Sequence, residues 1–412
     1  MRKMFSITLA AAAVVQLVGC SDAPTRPSEA GPSKAFIIGG PIIVPQPILN
    51  PNDYVAITAG GSHTCVQRRS GNVYCWGADD YGQSPAASPS TCPSGPCVKV
   101  PTFVAVAKQV SAGYQHTCLL SSAGTAWCTG GNGYGELGLG YYSPNGSSSG
   151  QVLGLTFSAI GAGTYATCGL ASTGVYCWGL IQAGLNSASP GIGYDTAQQI
   201  TSYVGYTSVS VGYEDACFHM GTPPWSETDC YGSNAYGKLA QDPTQWPTTR
   251  GIILGTGLGN STTGVSVADN YTCATQASGV VQCFGLGYYG ELGNGQPGVF
   301  WQPQTVGNGQ QLRGVTTGTQ HACALDPNNA AYCWGMGYHG EVGNNASGWW
   351  ATPQLVVGGH TFYAIAAGYR HTCGIGTDQH IWCWGDNSFG QMGVSYLIGG
   401  WWPSPVQAAD PT

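Results

Sequence analysis

Fourteen of the seventeen cysteines fall into seven pairs that recur about every fifty residues, and this period constrains the fold more than any other feature. The pairs are Cys65 with Cys75, Cys118 with Cys128, Cys168 with Cys177, Cys217 with Cys230, Cys273 with Cys283, Cys323 with Cys333, and Cys373 with Cys383. Successive first cysteines lie 53, 50, 49, 56, 50 and 50 residues apart. Within a pair the spacing is ten, except nine in the third and thirteen in the fourth. A repeat of this length is one supersecondary unit that buries its apolar face only against its neighbours.

The text around the cysteines recurs too. Ala59-Gly60-Gly61-Ser62-His63-Thr64, Ala112-Gly113-Tyr114-Gln115-His116-Thr117 and Ala367-Gly368-Tyr369-Arg370-His371-Thr372 precede first cysteines. An aromatic and a glycine follow most second cysteines, as in Trp76-Gly77, Phe284-Gly285 and Trp384-Gly385; Thr129-Gly130 departs from this. A Tyr-Gly-Glu-Leu-Gly theme comes next, as at Tyr134–Gly138 and Tyr289–Gly293. With 65 Gly, 25 Pro and only 8% charged residues, long helices and coiled coils are excluded, while 42% hydrophobic content supplies a core. Short alternating runs between glycine turns read as antiparallel strands. A turn at Arg69-Ser70-Gly71 sets Cys65 opposite Cys75, within disulfide reach, and predicts seven in-block disulfides.

The pattern His-Thr-Cys, Gly-x-Val-Tyr-Cys-Trp-Gly, Tyr-Gly-Gln/Glu-Leu-Gly resembles the regulator-of-chromosome-condensation (RCC-type) repeat, in the cysteine-bearing form of secreted bacterial members. The resemblance covers about residues 50 to 405. It implies an all-β fold: a seven-bladed β-propeller, each blade a four-stranded antiparallel sheet with an in-blade disulfide. It also implies closure by a blade shared between termini. Pro403–Gln407 is then expected to join the blade of Cys65 and Cys75, with Pro41–Val44 competing for the place. The nuclear namesake is an exchange factor that docks on chromatin, a role that needs basic arms. A secreted bacterial propeller that covers β-lactamase active sites with loops of one face is the nearer analogy.

Arg2 and Lys3 precede an apolar run from Met4 to Val18 that is too short to span a bilayer, and Leu17-Val18-Gly19-Cys20 resembles a lipobox. Residues 1–19 are therefore expected to be a signal peptide of lipoprotein type. Residues 20–38 are read as lipidated Cys20 and a Ser/Pro-rich tether, and 39–412 as the propeller. The expected location is the bacterial cell envelope outside the cytoplasm, at the outer membrane if one is present, with membrane contact only through the lipid. A net charge of −7 without a basic run argues against nucleic acid.

The sequence is read as carrying no Gly-x-Ser-x-Gly nucleophile elbow, no Walker loop and no His-Glu-x-x-His, and a non-enzymatic chain without cofactor or metal is expected. Glu136, Glu291 and Glu341 recur at one repeat position, which suits bracing of each turn better than general acid chemistry. His63, His116, His321 and His371 stand two residues before first cysteines, where the other blocks have Ala166, Asp215 and Tyr271. Spread one per block around an axis, they suit structural braces rather than a shared ion. Cys92 and Cys97 form a small staple in a Ser/Pro-rich insertion, and the Asp79-Asp80 doublet reads as a solvated loop.

Recognition residues are sought where the frame is fixed and the residues vary. Directly before the His position stand Gln115, Tyr165, Glu214, Asn270, Gln320 and Arg370, and one place further out Tyr114, Tyr213, Asp269 and Tyr369. Surplus aromatics are expected in inter-blade loops: Tyr141, Tyr142, Phe300, Trp301, Trp349, Trp350, Trp401 and Trp402, with Trp246. Such residues dominate binding hot spots. The expected function is a lipid-anchored binding or scaffold protein that recognises a protein partner. The alternatives are a glycan-binding module and, third, an inhibitor of an extracytoplasmic hydrolase.

Overall fold

The computed structural model describes residues 50–85, 89–181, 193–221, 227–245, 248–253 and 262–411. Cys20, the segment Pro41–Val44 and Trp246 lie outside them. Apart from two short 3-10 turns, every described element is a strand, and the strands form seven antiparallel sheets. Numbered as blades, they run from Tyr54 to Val106, Gln109 to Gln151, Phe157 to Thr201, Ser208 to Ile253, Thr262 to Thr305, Arg313 to Leu355 and Phe362 to Gln407. In each blade four strands lie side by side in chain order. The first strands of consecutive blades touch one another all the way round, including the seventh and the first, so they line the axis and the fourth strands form the rim. The seven-bladed propeller expected from the repeat is the fold observed.

The paired cysteines face each other on the second and third strands of every blade. All seven in-blade disulfides are present, with Cα atoms about 4 Å apart. The apolar core lies between blades. Trp76, Trp178, Phe284, Trp334 and Trp384, the aromatics after the second cysteines, are fully buried there. One cluster unites Val66 and Trp76 of blade 1 with Ile375 and Met392 of blade 7; another unites Tyr271 and Val281 of blade 5 with Leu312 and Trp334. Each such side chain contributes about 2–3 kcal/mol by burial, so the seams between blades hold much of the stability.

Ring closure differs from the expectation. The strand Trp401–Gln407 pairs with Ile381–Asp386 of its own blade, with Cys383 opposite Val406, and does not join blade 1. The block of text after the last cysteine pair is the fourth strand of that block, so among the described residues no strand is left over to exchange. Blades 1 and 7 meet only through side-by-side contacts. Thr64 Oγ1 and Trp76 Nε1 both donate to the Gln391 carbonyl, at 2.9 and 2.8 Å, and Tyr369 N donates to the Gly60 carbonyl at 3.1 Å.

The insertion holding Cys92 and Cys97 is also better ordered than a long loop. Ser90–Cys92 forms a short strand against the start of the long strand Gly95–Val106 and adds a fifth strand to blade 1. The Cys92–Cys97 disulfide closes this hairpin. The hairpin lies against blade 7: a Cβ placed on Gly390 would be 3.7 Å from Cys92 Sγ, and one on Gly399 would be 3.2 Å from the Pro93 ring. The staple therefore sits at the one seam that the chain does not cross among the described residues.

Candidate functional site

The four histidines join blades together. His63 Nε2 is 2.8 Å from Thr117 Oγ1, His116 Nε2 2.9 Å from Thr167 Oγ1, His321 Nε2 2.8 Å from Thr372 Oγ1, and His371 Nε2 2.8 Å from Thr64 Oγ1. Each threonine belongs to the next blade round the ring. Its hydroxyl donates to a main-chain carbonyl, that of Gln83, Glu136, Glu341 or Gln391, so the imidazole is the donor and the tautomer is Nε2–H. Burial lowers all four imidazoles, His63 and His321 to about 3 and His116 and His371 to about 4. They are neutral braces between blades. Glu136, Glu291 and Glu341 cap their own turns: each Oε2 accepts the amide two residues earlier at 2.8 Å, and burial raises each carboxyl, Glu291 to about 7.

In two of the three blades where the histidine is missing, its partner changes as well, while blade 5 keeps Thr272 opposite Asp215. Ala166 of blade 3 faces blade 4, whose threonine position holds Ala216; Tyr271 of blade 5 faces blade 6, which holds Ala322. Tyr271 instead donates its hydroxyl to the Gly318 and His321 carbonyls. In blade 4, Asp215 accepts from Lys238 Nζ at 2.7 Å, both side chains being buried, and Lys238 also donates to the Asp269 carbonyl at 2.8 Å. Lys238 stands where other blades have Glu or Gln. The sequence reading missed it, although Tyr236-Gly237-Lys238-Leu239 was the visible departure from the repeat theme.

Strand direction places the variable residues on one face. First strands end, and fourth strands begin, on the same side of the disc. That side therefore carries the turns between first and second strands, the Tyr-Gly-Glu-Leu-Gly loops and the leading residues of the rim strands. At its centre, Tyr369, Tyr114, Tyr165 and Tyr213 make a chain of edge-to-face ring contacts, with centroids 5.6, 5.9 and 5.8 Å apart. The chain crosses blade 1 because Gly61 stands there: a Cβ would be 2.3 Å from the Tyr114 carbonyl and 2.8 Å from its ring. The Arg370 guanidinium lies 4.8 Å from the Tyr369 ring centroid. Asp269 and Thr164 line the axial mouth, and the Thr164 hydroxyl donates to the Asp269 carboxylate at 2.5 Å.

The surplus aromatics of the last three blades lie on rim strands rather than in loops. Phe300 and Trp301 are in Gly298–Thr305, Trp349 and Trp350 in Trp349–Leu355, and Trp401 and Trp402 in Trp401–Gln407. Flanking Gly and Pro made these strands read as loops. Strand alternation splits each pair. Phe300, Trp350 and Trp402 turn inward, opposite Gly285, Gly335 and Gly385, and pack on their blade cores. These three serve the blade edge. Trp301, Trp349 and Trp401 are 40%, 42% and 45% exposed. Tyr141 and Tyr142 are exposed just ahead of the strand Ser143–Gln151. Exposed Tyr288, Tyr338 and Tyr396 from the neighbouring loops stand on the same face and were not anticipated; the first two immediately precede the repeat theme.

Two further readings are corrected. Asp79 is buried, its Oδ1 accepts the Ser84 amide at 3.0 Å and its carboxyl is raised to about 6; only Asp80 is solvated. Gly146-Ser147-Ser148-Ser149-Gly150 matches the spacing of a nucleophile elbow, yet it lies within a rim strand with Ser148 opposite Gly130, not at a strand-to-helix turn.

A model of the regulator of chromosome condensation (RCC1) repeat matches residues 54–83, 107–136, 313–341 and 362–391. Those four segments carry the RCC1 repeat pattern. The four matched segments belong to blades 1, 2, 6 and 7, the blades that keep the histidine, so the RCC1 signature weakens where the brace is replaced. Rat "Probable E3 ubiquitin-protein ligase HERC4" is 27% identical over 51% of this chain and 21% of its own length, so the likeness is confined to a minor part of that protein. Among solved structures, human WBSCR16 superposes with a TM-score of 0.68 at 18% identity, covering 82% of this chain and 95% of that one. Prp20p of Saccharomyces cerevisiae gives 0.67 at 16%, covering 82% and 86%. These two structural likenesses establish a shared fold.

Proposed function

We propose that this RCC1-repeat propeller is a non-catalytic recognition module that docks a protein partner on its aromatic face. On this reading it is displayed outside the cytoplasm by a lipid on Cys20. One observation carries the reading: the central tyrosine chain and the exposed Trp301, Trp349 and Trp401 stand on the same side of a rigid disc. Tyr and Trp bring large contact area with few rotatable bonds, which suits protein docking. The fold hosts such work in a relative of the same architecture, since Prp20p has been characterised for binding to Gsp1p and histones.

The test pairs Trp349→Ala/Trp401→Ala with Phe103→Ala/Trp127→Ala, which removes exposed aromatics elsewhere on the propeller. Capture of a specific partner from the native envelope should fall at least tenfold for the first pair and stay within twofold for the second. Equal retention by both would remove the face from the account. Retention of glycan alone would replace a protein partner with the sugar reading. Loss of activity of a purified extracytoplasmic hydrolase on addition of the chain would identify the partner as an enzyme.

A further inference from the structure

Resting on the docking-face reading, we infer that the partner presents a cationic protein surface, whose lysine and arginine side chains lie on the tyrosines and reach Asp269. The first ground is the distribution of charge. Asp80, Asp195, Glu214, Asp242, Asp269 and Asp386 belong to the turns, loops and strand ends of the aromatic face, where the accessible cations are Arg370 and Lys99. On the opposite face Arg68, Arg69, Lys108 and Arg313 stand against Asp53, Glu227, Asp229, Asp326, Asp378 and Asp410, so cations offset a larger share of the acids there. Among these groups the side that carries the exposed aromatics is therefore the more acidic of the two.

The second ground is the geometry at the mouth. Tyr114 and Tyr369 flank the opening with Asp269 across from them. The guanidinium of Arg370 already lies over the Tyr369 ring at 4.8 Å, so these rings accept a cation in the geometry that such contacts require. Burial raises the Asp269 carboxyl above the usual range, and the neighbouring cation Lys238 is engaged by the Asp215 carboxylate and the Asp269 main chain. An arriving ammonium or guanidinium would supply the charge that this carboxylate lacks. Carboxylates around aromatic rings also raise encounter rates with a basic surface and disfavour acidic ones.

The test uses the full chain and three labelled hexapeptides, hexa-arginine, hexa-lysine and hexa-glutamate, followed by fluorescence anisotropy at 50 and 300 mM salt. The arginine and lysine peptides should bind at low salt and the glutamate peptide should not. Asp269→Asn/Asp386→Asn should weaken the arginine peptide at least fivefold, as should the more exposed pair Asp80→Asn/Asp195→Asn. Asp378→Asn/Asp410→Asn, an equal change of net charge on the other face, should stay within twofold. Failure of the cationic peptides to bind would overturn the inference. So would equal weakening by all three variants, since net charge alone would then explain binding. If partner capture still depends on Trp349 and Trp401 while these peptides are ignored, the docking face stands and only its cationic chemistry falls.

Discussion

At the scale of single residues, the fold is written as pairs that span blades. The histidines could be recognised as braces from the sequence because they recur at one position in four of the seven repeats. Their partners were not legible, since the threonine lies in the next repeat and only the ring brings the two together. Once the ring is known, the exceptions become coherent: Ala166 with Ala216, and Tyr271 with Ala322, are matched absences. Burying a neutral imidazole has a pH signature. His371 is lowered from 6.5 to about 4, so its contribution is full above pH 6.5 and is lost as pH falls through that window. Carboxyls raised by burial, such as Glu291 at about 7, act in the opposite direction and lose stability as pH rises. A comparison with His371→Gln separates the two. The stability difference between wild type and variant, measured by denaturant unfolding, should grow by on the order of 3 kcal/mol from pH 4 to 7 and then level off. A difference independent of pH would contradict the buried neutral brace.

The buried Asp215–Lys238 pair makes a second residue-scale prediction. Removing one partner strands a charge in the core, at about 3–5 kcal/mol, whereas exchanging both to the pattern of the other blades removes the conflict. Asp215→His and Lys238→Glu alone should each lower the melting temperature more than the double variant does. Additive losses in thermal unfolding would show that the two sites are uncoupled.

At the scale of elements, the blades were the most legible part, because each disulfide pair marks the centre of a hairpin. Rim strands were the least legible. Their Gly and Pro content resembles that of loops, and the inward or outward sense of Trp349 and Trp350 depends on a register that composition does not reveal. The hairpin of blade 1 was seen as a staple without its purpose. Placed against Gly390 and Gly399, it clasps the seam between blades 1 and 7, which among the described residues has neither a chain crossing nor a shared strand. Cys92→Ser/Cys97→Ser should lower the melting temperature by a few degrees, in line with a lost small-loop disulfide of about 2 kcal/mol. Amide exchange should rise first at Tyr54–Ala59 and Phe362–Ala367. Uniform acceleration over all blades would contradict a local clasp.

At the scale of the whole molecule, the propeller sorts its residues by radius and by face. Disulfides and braces hold the interior, inward aromatics finish the blade edges, and the central tyrosine chain shares one side with exposed Trp301, Trp349 and Trp401. The repeat period was enough to derive the disc; the side proposed for docking needed strand direction, which only the folded order supplies. Membrane attachment belongs to this scale as well. Under the proposed anchoring, Cys20→Ser should move the chain from the membrane fraction to the soluble fraction of the envelope, and unchanged fractionation would remove the lipid from the account.

The central claim, that the aromatic face is the docking face, is tested most directly by photocrosslinking in the native cell from single positions on both sides of the disc. A crosslinker at Tyr288 or Tyr338 should capture one discrete protein, while one at Asn328 or Gln379 on the opposite side should not. Capture from Asn328 and Gln379 but not from Tyr288 or Tyr338 would contradict the claim.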